Sequence, residues 1–419
     1  MYKVSKNCRL CNHKNISLAF RFAKMPLSEK YFSKRDKVKI SKKYPFSVGF
    51  CQKCKNVQTM EIINNKNLWS GYTYFSSQTK AIIDHFKKIS SQIISKFKLQ
   101  KNDLVLDIGS NDGTFLSFFK KKNINVLGVD PSKEVANVAN KKKIKTINTF
   151  FNYNISQLIL SKYKKPKIIT CFNTFAHVEN LNEIVASIKN ILSSDGNFIF
   201  ECQYLEDILK KKILGTFFHE HLYHHSVHSL KNLFNKHDLD LYQVEKVNIQ
   251  KGSIIGYVKH KKTNATENKL TKILQQEKKN RTINLKNIKL LKTFVASQKK
   301  KILQILKINN NKDISGYGAA RSGPTFIYNY GLEKFINYIF DDHPSKKNKF
   351  SSMNKIKILS TKKLNIENTK ICIILAYLHQ KKIIKKNIKF LQSGGSFICL
   401  YPKVVKIHLK NHKQYVHND

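Results

Sequence analysis

From Leu104 onward the chain repeats a pattern in which a short apolar segment leads into a loop and then a helical segment. Residues 104–108 form the first apolar segment, followed by the loop Gly-Ser-Asn-Asp-Gly at 109–113. Residues 126–129, 168–172 and 197–200 supply three more segments of strand length. Strands that alternate with helices predict an α/β fold with a mainly parallel sheet and right-handed crossovers.

The loops that follow these strands carry the residues expected to bind a nucleotide, because ligands of such sheets lie beyond the carboxyl ends of the strands. Gly109 and Gly113 have no Cβ and let the backbone approach a ligand closely. Asp130 ends the second strand, where it can accept hydrogen bonds from ribose hydroxyls. Asp107 ends the first strand and suits a cationic group such as an ammonium. With Asn111 of the same loop, these residues are the predicted nucleotide site.

Two Cys-x-x-Cys pairs lie near the N-terminus, Cys8 with Cys11 and Cys51 with Cys54. Each pair can present two thiolates to one ion, and two pairs complete a tetrahedral zinc site with no open position. We therefore predict a structural zinc ion. The remaining cysteines stand singly in apolar segments and are expected to be buried: Cys171, Cys202, Cys372 and Cys399.

The formal charge of +50 on 419 residues raises the possibility of nucleic-acid binding. The lysines are scattered along the whole chain without a recognisable RNA- or DNA-binding motif, so we expect solvated lysine faces instead. The sequence has no apolar run of membrane-spanning length, and its first residues lack the apolar core of a signal peptide. The expectation is a cytoplasmic protein without a membrane partner, either a monomer or a weak homo-oligomer.

The C-terminal half predicts a second nucleotide-type unit. Residues 267–307 have leucine and isoleucine at helical spacing, which indicates an amphipathic helix or a helix pair. Residues 314–323 then resemble a strand running into a glycine loop and a helix, and residues 337–342 repeat the pattern of a strand followed by acidic residues. Arg321 of this loop could add charge for a phosphate group. A duplicate fold that binds no ligand is the alternative.

Several segments together resemble one family, the S-adenosylmethionine-dependent sugar C-methyltransferases of deoxysugar biosynthesis. The glycine loop lacks the middle glycine of a dinucleotide site and instead resembles motif I of Rossmann-like methyltransferases. The segments that carry the resemblance lie at 71–77, 106–113, 173–177, 219–221 and 316–321. The family's organisation implies a zinc module over 1–76, a Rossmann-like methyltransferase core over 77–246, and a second Rossmann-like α/β domain over 247–419.

The resemblance also implies roles for single residues. His221, the second histidine of the His-Glu-His segment, would be the catalytic base, with Glu220 as its acidic neighbour. Tyr72, Asn173 and His177 would lie around the reacting carbons of the substrate. Further substrate contacts are expected from Tyr74, His219, Glu201 and Arg321.

One position departs from the family, which usually has a tyrosine directly before His-Glu-His where this chain has Phe218. The substrate would then differ, or another tyrosine would compensate. The five histidines between 219 and 228 also leave a second metal site open as an alternative.

The expected activity is methyl transfer from S-adenosylmethionine to a carbon, the third sugar carbon by resemblance, of a nucleotide-linked 4-keto deoxysugar. A base near the C–H bond and donors near the ketone oxygen would generate the required enolate. Two alternatives remain open at this stage. One is a related methyltransferase acting on oxygen or nitrogen, and the other is a zinc-containing RNA-binding protein.

Overall fold

The computed structural model describes residues 2–28, 31–34, 42–64, 68, 74–261, 270–308, 313–353 and 355–417. Tyr72 lies outside the described residues. The strands are β1 (Tyr2–Val4), β2 (Ile16–Met25), β3 (Tyr31–Phe32), β4 (Tyr44–Cys51), β5 (Val57–Thr59), β6 (Glu61–Ile63), β7 (Leu104–Ile108), β8 (Asn125–Val129), β9 (Thr146–Ile147), β10 (Ile168–Phe172), β11 (Asn197–Gln203), β12 (Tyr223–His224), β13 (Leu239–Val247), β14 (Ser253–His260), β15 (Ile314–Tyr317), β16 (Tyr338–Phe340), β17 (Phe350–Ser351), β18 (Lys357–Leu359), β19 (Ile371–Ile374), β20 (Ser396–Cys399) and β21 (Val405–Ile407).

Helices follow the strands for most of the chain. The α-helices are α1 (Lys80–Lys96), α2 (Thr114–Lys120), α3 (Lys133–Lys141), α4 (Tyr153–Lys162), α5 (Leu181–Ile191), α6 (Leu205–Lys211), α7 (Val227–Lys236), α8 (Thr271–Asn280), α9 (Leu285–Ile308), α10 (Gly323–Tyr330), α11 (Gln380–Lys386), α12 (Ile388–Gln392) and α13 (His412–His417). Short 3-10 helices lie at Ser76–Gln78, Leu214–Thr216, Thr361–Asn365 and Tyr377–His379.

The chain divides into two compact units that are each discontinuous in sequence. Unit 1 comprises Met1–Ser17, Phe50–Glu206 and Leu222–Ile283, and unit 2 comprises Leu18–Gly49, Asp207–His221 and Asn284–Asp419. The three continuous domain ranges inferred from the sequence stay a prediction. The two units are discontinuous and do not correspond to these ranges one to one.

In the part of unit 1 that the structure describes, the main sheet has seven strands in the order β13-β14-β11-β10-β7-β8-β9. β7 pairs in parallel with β8 on one side and β10 on the other, and β14 runs antiparallel to β11. The crossovers therefore change direction between β7 and β10, which is the point where such sheets bind ligands. The segment after Gly252 forms β14, which lies between β11 and β13.

Alternating side chains of β7 build the two faces of that sheet. Leu104 and Leu106 pack into a core with α5 and α7, whereas Val105 packs into a second core with α1 and α2. Successive side chains of a strand point to opposite faces, so each apolar residue of the segment is buried. The continuous apolar run follows from helices on both faces.

The described part of unit 2 contains an eight-stranded sheet in the order β21-β20-β19-β15-β16-β18-β17-β3. β15 pairs in parallel with β16 and β19, so this sheet has its own switch point. At its far edge, Phe32 of β3 pairs with Phe350 of β17. A segment from near the N-terminus thus completes a sheet formed mainly by the C-terminal third of the chain.

Candidate active site and zinc centre

The turn after β7 requires glycine at its first position. Gly109 has a φ of +77° and donates its N–H to the Val129 carbonyl at 2.8 Å. A Cβ at this position would lie 2.2 Å from the Thr174 hydroxyl oxygen. Both the left-handed backbone and the close approach exclude a larger residue, and they keep the ends of β7, β8 and β10 together.

Asp130 closes this turn from the neighbouring strand. Its two carboxylate oxygens accept hydrogen bonds from the N–H groups of Asn111, at 2.8 Å, and Ser132, at 2.9 Å. Burial raises its pKa to about 6, although both hydrogen bonds favour the ionised form. Each carboxylate oxygen retains a second lone pair that can accept a ribose hydroxyl.

Asp107 lies deeper, at the carboxyl end of β7. The Thr170 hydroxyl donates to Oδ1 of Asp107 at 2.7 Å, and only 3% of the residue is exposed. Burial raises its pKa to about 7, with the charge of Asp130 adding to the shift and Thr170 opposing it. The ionised form of a buried carboxylate whose partner is a neutral hydroxyl is stabilised most by a ligand that brings a positive charge.

Asn111 and Asp112 hold the segment that precedes α1. The Asn111 side chain accepts the Ser76 N–H at 2.9 Å and donates to the Tyr74 carbonyl at 3.1 Å. Asp112 accepts the Ser77 N–H at 3.2 Å. The predicted cofactor role of Asn111 is therefore joined by a structural one, since its amide fixes the backbone of residues 74–76. Tyr74 is 37% exposed.

Gly113, the last residue of the loop, has a φ of +73° and precedes α2 directly. A Cβ there would lie 3.0 Å from the Ile144 side chain, so glycine brings the loop and helix start close to the sheet.

Asn173, Glu201 and His85 form a hydrogen-bonded network at the ends of β10 and β11. Glu201 is fully buried; its Oε1 accepts the Asn173 amide at 2.8 Å, and its Oε2 lies 2.5 Å from Nε2 of His85. Asn173 has a φ of +55°, and its Oδ1 accepts Gln250 Nε2 at 3.3 Å. The network fixes which way the Asn173 amide faces.

His85 is the residue that sequence reasoning missed. It lies on α1, beside Ile82, Phe86 and Ile89 of the buried helix face. A single histidine on an amphipathic helix is typical of a packing residue, and its partner Glu201 lies 116 positions away. A buried carboxylate at a strand end was the available signal, because such a group requires a partner.

The chain after Asn173 turns back on itself before α5. His177 donates its N–H to the Thr174 carbonyl at 2.8 Å, and its side chain is half-buried. Within unit 1, then, predicted site residues meet at the carboxyl ends of β7, β8, β10 and β11: Asp107, Gly109, Asn111, Asp130, Asn173, His177 and Glu201.

The four N-terminal cysteines converge within unit 1. Their sulfur atoms all lie within 4.8 Å of one another, with Cys8 and Cys54 at 3.5 Å and Cys11 and Cys51 at 3.6 Å. Four thiolates around one zinc ion at about 2.3 Å are separated by about 3.8 Å along each tetrahedral edge. The donor set and its spacing therefore fit zinc.

The two cysteine turns have matching backbone geometry. Asn12 donates its N–H to the Cys8 carbonyl at 2.8 Å, and Lys55 donates its N–H to the Cys51 carbonyl at 2.9 Å. Asn12 and Lys55 have φ values of +59° and +58°, respectively. The Asn56 side-chain amide lies 3.6 Å from the Cys8 sulfur, where its N–H can stabilise a thiolate.

The single cysteines are buried as predicted. Burial raises the thiol pKa of Cys171, Cys202, Cys372 and Cys399.

His221 lies in unit 2, after a 3-10 turn. Its Nδ1 is 2.7 Å from the Thr216 carbonyl, which can only accept, so Nδ1 carries the proton. The neutral ring then has its lone pair on Nε2, which is the form a general base needs. The Phe218 ring lies against this imidazole with centroids 4.0 Å apart, so the position that departs from the family contacts the predicted base.

His219 has different surroundings from His221. It is 1% exposed, its Nε2 donates to the Pro45 carbonyl at 3.2 Å, and its ring meets the edge of Phe46. Burial lowers its pKa to about 4. These contacts favour a packing role for His219, and its substrate contact stays a prediction. Glu220 is 5% exposed.

Two of the neighbouring histidines are neutral core residues. His224 and His225 are 2% and 0% exposed, and burial lowers their pKa values to about 3 and about 4. Among the described residues, the cysteine cluster is the one group of three or more potential ligands that could hold a metal ion.

Unit 2 repeats the nucleotide turn of unit 1 in its own sheet. Gly318 has a φ of +86° and donates to the Phe340 carbonyl at 2.8 Å, as Gly109 does to Val129. Asp341 accepts the N–H groups of Ala319 and His343, both at 2.8 Å, as Asp130 does in unit 1.

Arg321 follows in the same loop of unit 2. Its carbonyl accepts the Ser28 hydroxyl at 2.9 Å, which fixes the backbone that carries the predicted phosphate contact.

Among the described residues, no helix is both long enough and apolar enough to cross a bilayer.

Three family models match successive parts of the chain. A zinc binding domain covers residues 8–69, a methyltransferase domain covers 80–244, and a C-methyltransferase C-terminal domain covers 248–402. Over 400 residues the chain is 26% identical to the C-methyltransferase NovU of Streptomyces niveus, a match that spans 94% of this chain and 95% of that protein. The chain is an S-adenosylmethionine-dependent C-methyltransferase. These matches favour an enzyme that methylates carbon over a methyltransferase acting on oxygen or nitrogen and over an RNA-binding protein.

Solved structures also resemble part of the chain. An S-adenosylmethionine-dependent methyltransferase from Clostridium acetobutylicum is 15% identical, with a TM-score of 0.35 over 43% of this chain and 92% of that one. The PH0226 protein of Pyrococcus horikoshii is 16% identical, with a TM-score of 0.38 over 47% of this chain and 100% of that one.

The methyltransferase uses S-adenosylmethionine as its cofactor, and its four-cysteine cluster holds a structural zinc ion. The residues of unit 1 fit the cofactor. Asp107 offers a negative charge to its ammonium, and Asp130 offers acceptors to its ribose.

Proposed function

We propose that this methyltransferase acts on a nucleotide-linked 4-keto deoxysugar and adds the methyl group to the third sugar carbon. Methylation of carbon requires a carbanion-like nucleophile, and a ketone beside the reacting carbon makes one accessible as an enolate. The ketone and the position come from the family resemblance. The residues of the chain supply independent support for the nucleotide.

The observation that carries the proposal is the second nucleotide turn in unit 2. Gly318, Asp341 and the N–H groups of Ala319 and His343 resemble the arrangement in unit 1 that we propose to bind the cofactor's ribose. A methyltransferase needs one such turn for its methyl donor. A second turn of the same geometry suits a substrate that carries its own nucleoside.

Charge supports the same substrate class. The chain has a formal charge of +50, and an anionic substrate would be attracted to it at low ionic strength. In this proposal Arg321, which lies in the loop of unit 2, contacts the diphosphate.

The proposed chemistry starts with proton removal by His221. Its Nδ1–H donates to the Thr216 carbonyl, so Nε2 has the lone pair that can take the proton from the carbon next to the ketone. Asn173, whose amide orientation is fixed by Glu201, can donate its second N–H to the developing oxyanion. Tyr72, Tyr74 and His177 are further candidates around the acceptor.

When bound, S-adenosylmethionine supplies a methyl group on a positively charged sulfur to the nucleophilic carbon. Asp107 and Asp130 would hold its ammonium and ribose, respectively. Glu220 is proposed to act beside His221 in the His-Glu-His segment.

The test is incubation of the purified protein with S-adenosylmethionine and a nucleotide-4-ketosugar in heavy water, followed by mass spectrometry. We expect a product heavier by one methyl group. Without the cofactor, deuterium should enter the carbon next to the ketone. If the protein binds S-adenosylmethionine but produces neither signal, the substrate assignment is wrong.

A further inference from the structure

The zinc module is connected through Leu222 and Tyr223 to the loop that carries two predicted substrate residues. The link is Arg9, the second residue of the first Cys-x-x-Cys turn. Its guanidinium donates from Nη1 to the Thr59 carbonyl at 2.9 Å and from Nη2 to the Leu222 carbonyl at 2.5 Å. Its central carbon lies 4.7 Å from the centre of the Tyr223 ring. All of these residues belong to unit 1.

The backbone of Arg9 is also fixed within the module. Its N–H donates to the Gln58 side chain at 2.9 Å, and that side chain accepts a second bond, from Asn56, at 3.1 Å. Asn56 in turn lies 3.6 Å from the Cys8 sulfur. The direction of the Arg9 side chain therefore depends on the geometry of the cysteine cluster.

Leu222 and Tyr223 carry the connection to the substrate loop. Their N–H groups both donate to the Ala176 carbonyl, at 2.9 and 3.3 Å. The Tyr223 hydroxyl donates to the Glu179 carbonyl at 2.9 Å. Ala176 lies between Asn173 and His177 in the chain. Its carbonyl is therefore fixed by Leu222 and Tyr223, the two residues that Arg9 contacts.

The backbone of Leu222 forms hydrogen bonds through both its carbonyl and its N–H. Its carbonyl accepts Thr59 N–H at 3.0 Å as well as Arg9, while its N–H reaches Ala176. In the chain, Leu222 directly follows His221. Within unit 1, one residue thus joins the zinc module to the loop at 173–177.

We propose that Arg9 is a positioning residue through which the zinc module orders the substrate loop at 173–177. The zinc ion holds the two cysteine turns together, the first turn directs Arg9, and Arg9 fixes Leu222 and Tyr223 against Ala176. The module thereby contributes to turnover as well as to folding. The inference rests on the proposed function where it takes Asn173 and His177 as substrate residues.

A conservative variant tests the contact without removing the charge. Arg9→Lys keeps a cation but loses the planar fork that reaches two carbonyls and stacks on a ring. The matched control is Gln52→Ala, because Gln52 has the same position in the second Cys-x-x-Cys turn and is exposed. Zinc content, S-adenosylmethionine affinity and amide hydrogen exchange are measured on wild type and both variants.

We expect Arg9→Lys to keep its zinc and its cofactor affinity. The amides of His177, Leu222 and Tyr223 should exchange about tenfold faster, as expected when a charged hydrogen bond that fixes their segment is lost. With the sugar substrate, kcat should fall by a similar factor while the dissociation constant of S-adenosylmethionine stays unchanged. Gln52→Ala should match the wild type in every measurement.

Two outcomes would overturn the inference. Unchanged exchange at His177, Leu222 and Tyr223 in zinc-bound Arg9→Lys would show that Arg9 does not order the loop. Loss of zinc from Arg9→Lys would show a role in metal retention alone. Neither measurement needs the sugar, so a wild-type protein that fails to methylate it would refute the proposed function and leave this comparison intact.

Discussion

The Thr170 hydroxyl donates to the Asp107 carboxylate at 2.7 Å at the bottom of the cofactor turn, which leaves a buried acid with a neutral partner. Since burial raises the pKa of Asp107 to about 7, the carboxylate gains protons as pH falls through neutrality. A cationic ligand needs the ionised form, so S-adenosylmethionine should bind more weakly at lower pH. Each pH unit below the pKa reduces the ionised fraction about tenfold.

Titration calorimetry between pH 5.5 and 8 measures this effect. Asp107→Asn should bind weakly throughout and lose the upper part of the pH dependence, leaving the part due to Asp130, whose pKa is about 6. The stability of the protein without cofactor should change with pH in the opposite direction to cofactor affinity. The folded-state pKa of Asp107 exceeds the unfolded value, so its contribution to the free energy of unfolding is largest at low pH and decreases as pH rises through about 7. Wild-type affinity that does not change with pH would contradict the assignment of Asp107.

The equivalent carboxylates of the two sheets allow a reciprocal test. In Asp130→Asn, an amide nitrogen replaces one of the two carboxylate oxygens that each accept a loop N–H group. Asp341→Asn makes the same change in unit 2. We expect Asp130→Asn to weaken S-adenosylmethionine binding about tenfold. Asp341→Asn should raise KM for the nucleotide sugar by a similar factor and leave the cofactor affinity unchanged. Each variant is the control for the other, and a shared phenotype would mean that the two turns do not bind separate ligands.

Substitution of His221 by asparagine removes the basic nitrogen of the side chain and preserves its local hydrogen bond. In His221→Asn, the side-chain amide can still donate to the Thr216 carbonyl that now accepts Nδ1–H. Loss of a general base reduces kcat by about 100-fold or more, with cofactor binding retained. Thr216→Val, which removes a hydroxyl 3.1 Å from the same nitrogen but keeps the carbonyl, should have a much smaller effect. An active His221→Asn enzyme would assign the base to another residue.

Glu201 links His85 to Asn173, and Glu201→Gln disturbs both contacts with little change of shape. An amide has one acceptor where the carboxylate has two, so either the Asn173 or the His85 contact is lost. Thermal denaturation should show a loss of about 1–3 kcal/mol for the unsatisfied buried group. Turnover should fall further than cofactor affinity, because Asn173 loses its fixed orientation.

The matched control for Glu201→Gln is His85→Gln, which can still donate to the carboxylate. It should retain more activity than Glu201→Gln. Equal loss in both variants would indicate that His85 has a role beyond holding Glu201.

The sequence predicted unit 1 well because its signals are local. The segment at 168–172 coincides with β10, and Asp130 directly follows β8, one residue beyond the expected strand end. A glycine turn, an acid at a strand end and a Cys-x-x-Cys pair each depend on a few consecutive residues. The long amphipathic stretch proved to be the helix pair α8 and α9.

Contacts between distant segments could not be predicted in the same way. Nothing in the sequence around His85 indicates that α1 places it against Glu201, because helical periodicity fixes only the buried face. The same holds for Arg9, because its Cys-x-x-Cys turn does not indicate contacts with Thr59 and Leu222. The pairing of Phe32 with Phe350 depends on register at a sheet edge, which strands of only two residues specify weakly.

That edge pairing has a consequence for how the protein is made. Phe32 leaves the ribosome about 320 residues before Phe350, which at 5–20 residues per second is a delay of roughly 15–65 s. During that interval Tyr31 and Phe32 have no β17 to pair with, although the strands of the unit 1 sheet are synthesised within it. A nascent chain in this state exposes the unpaired edge of β3 until β17 is synthesised. No single cut of the gene yields both units intact, so the two Rossmann-like units have to be inherited together.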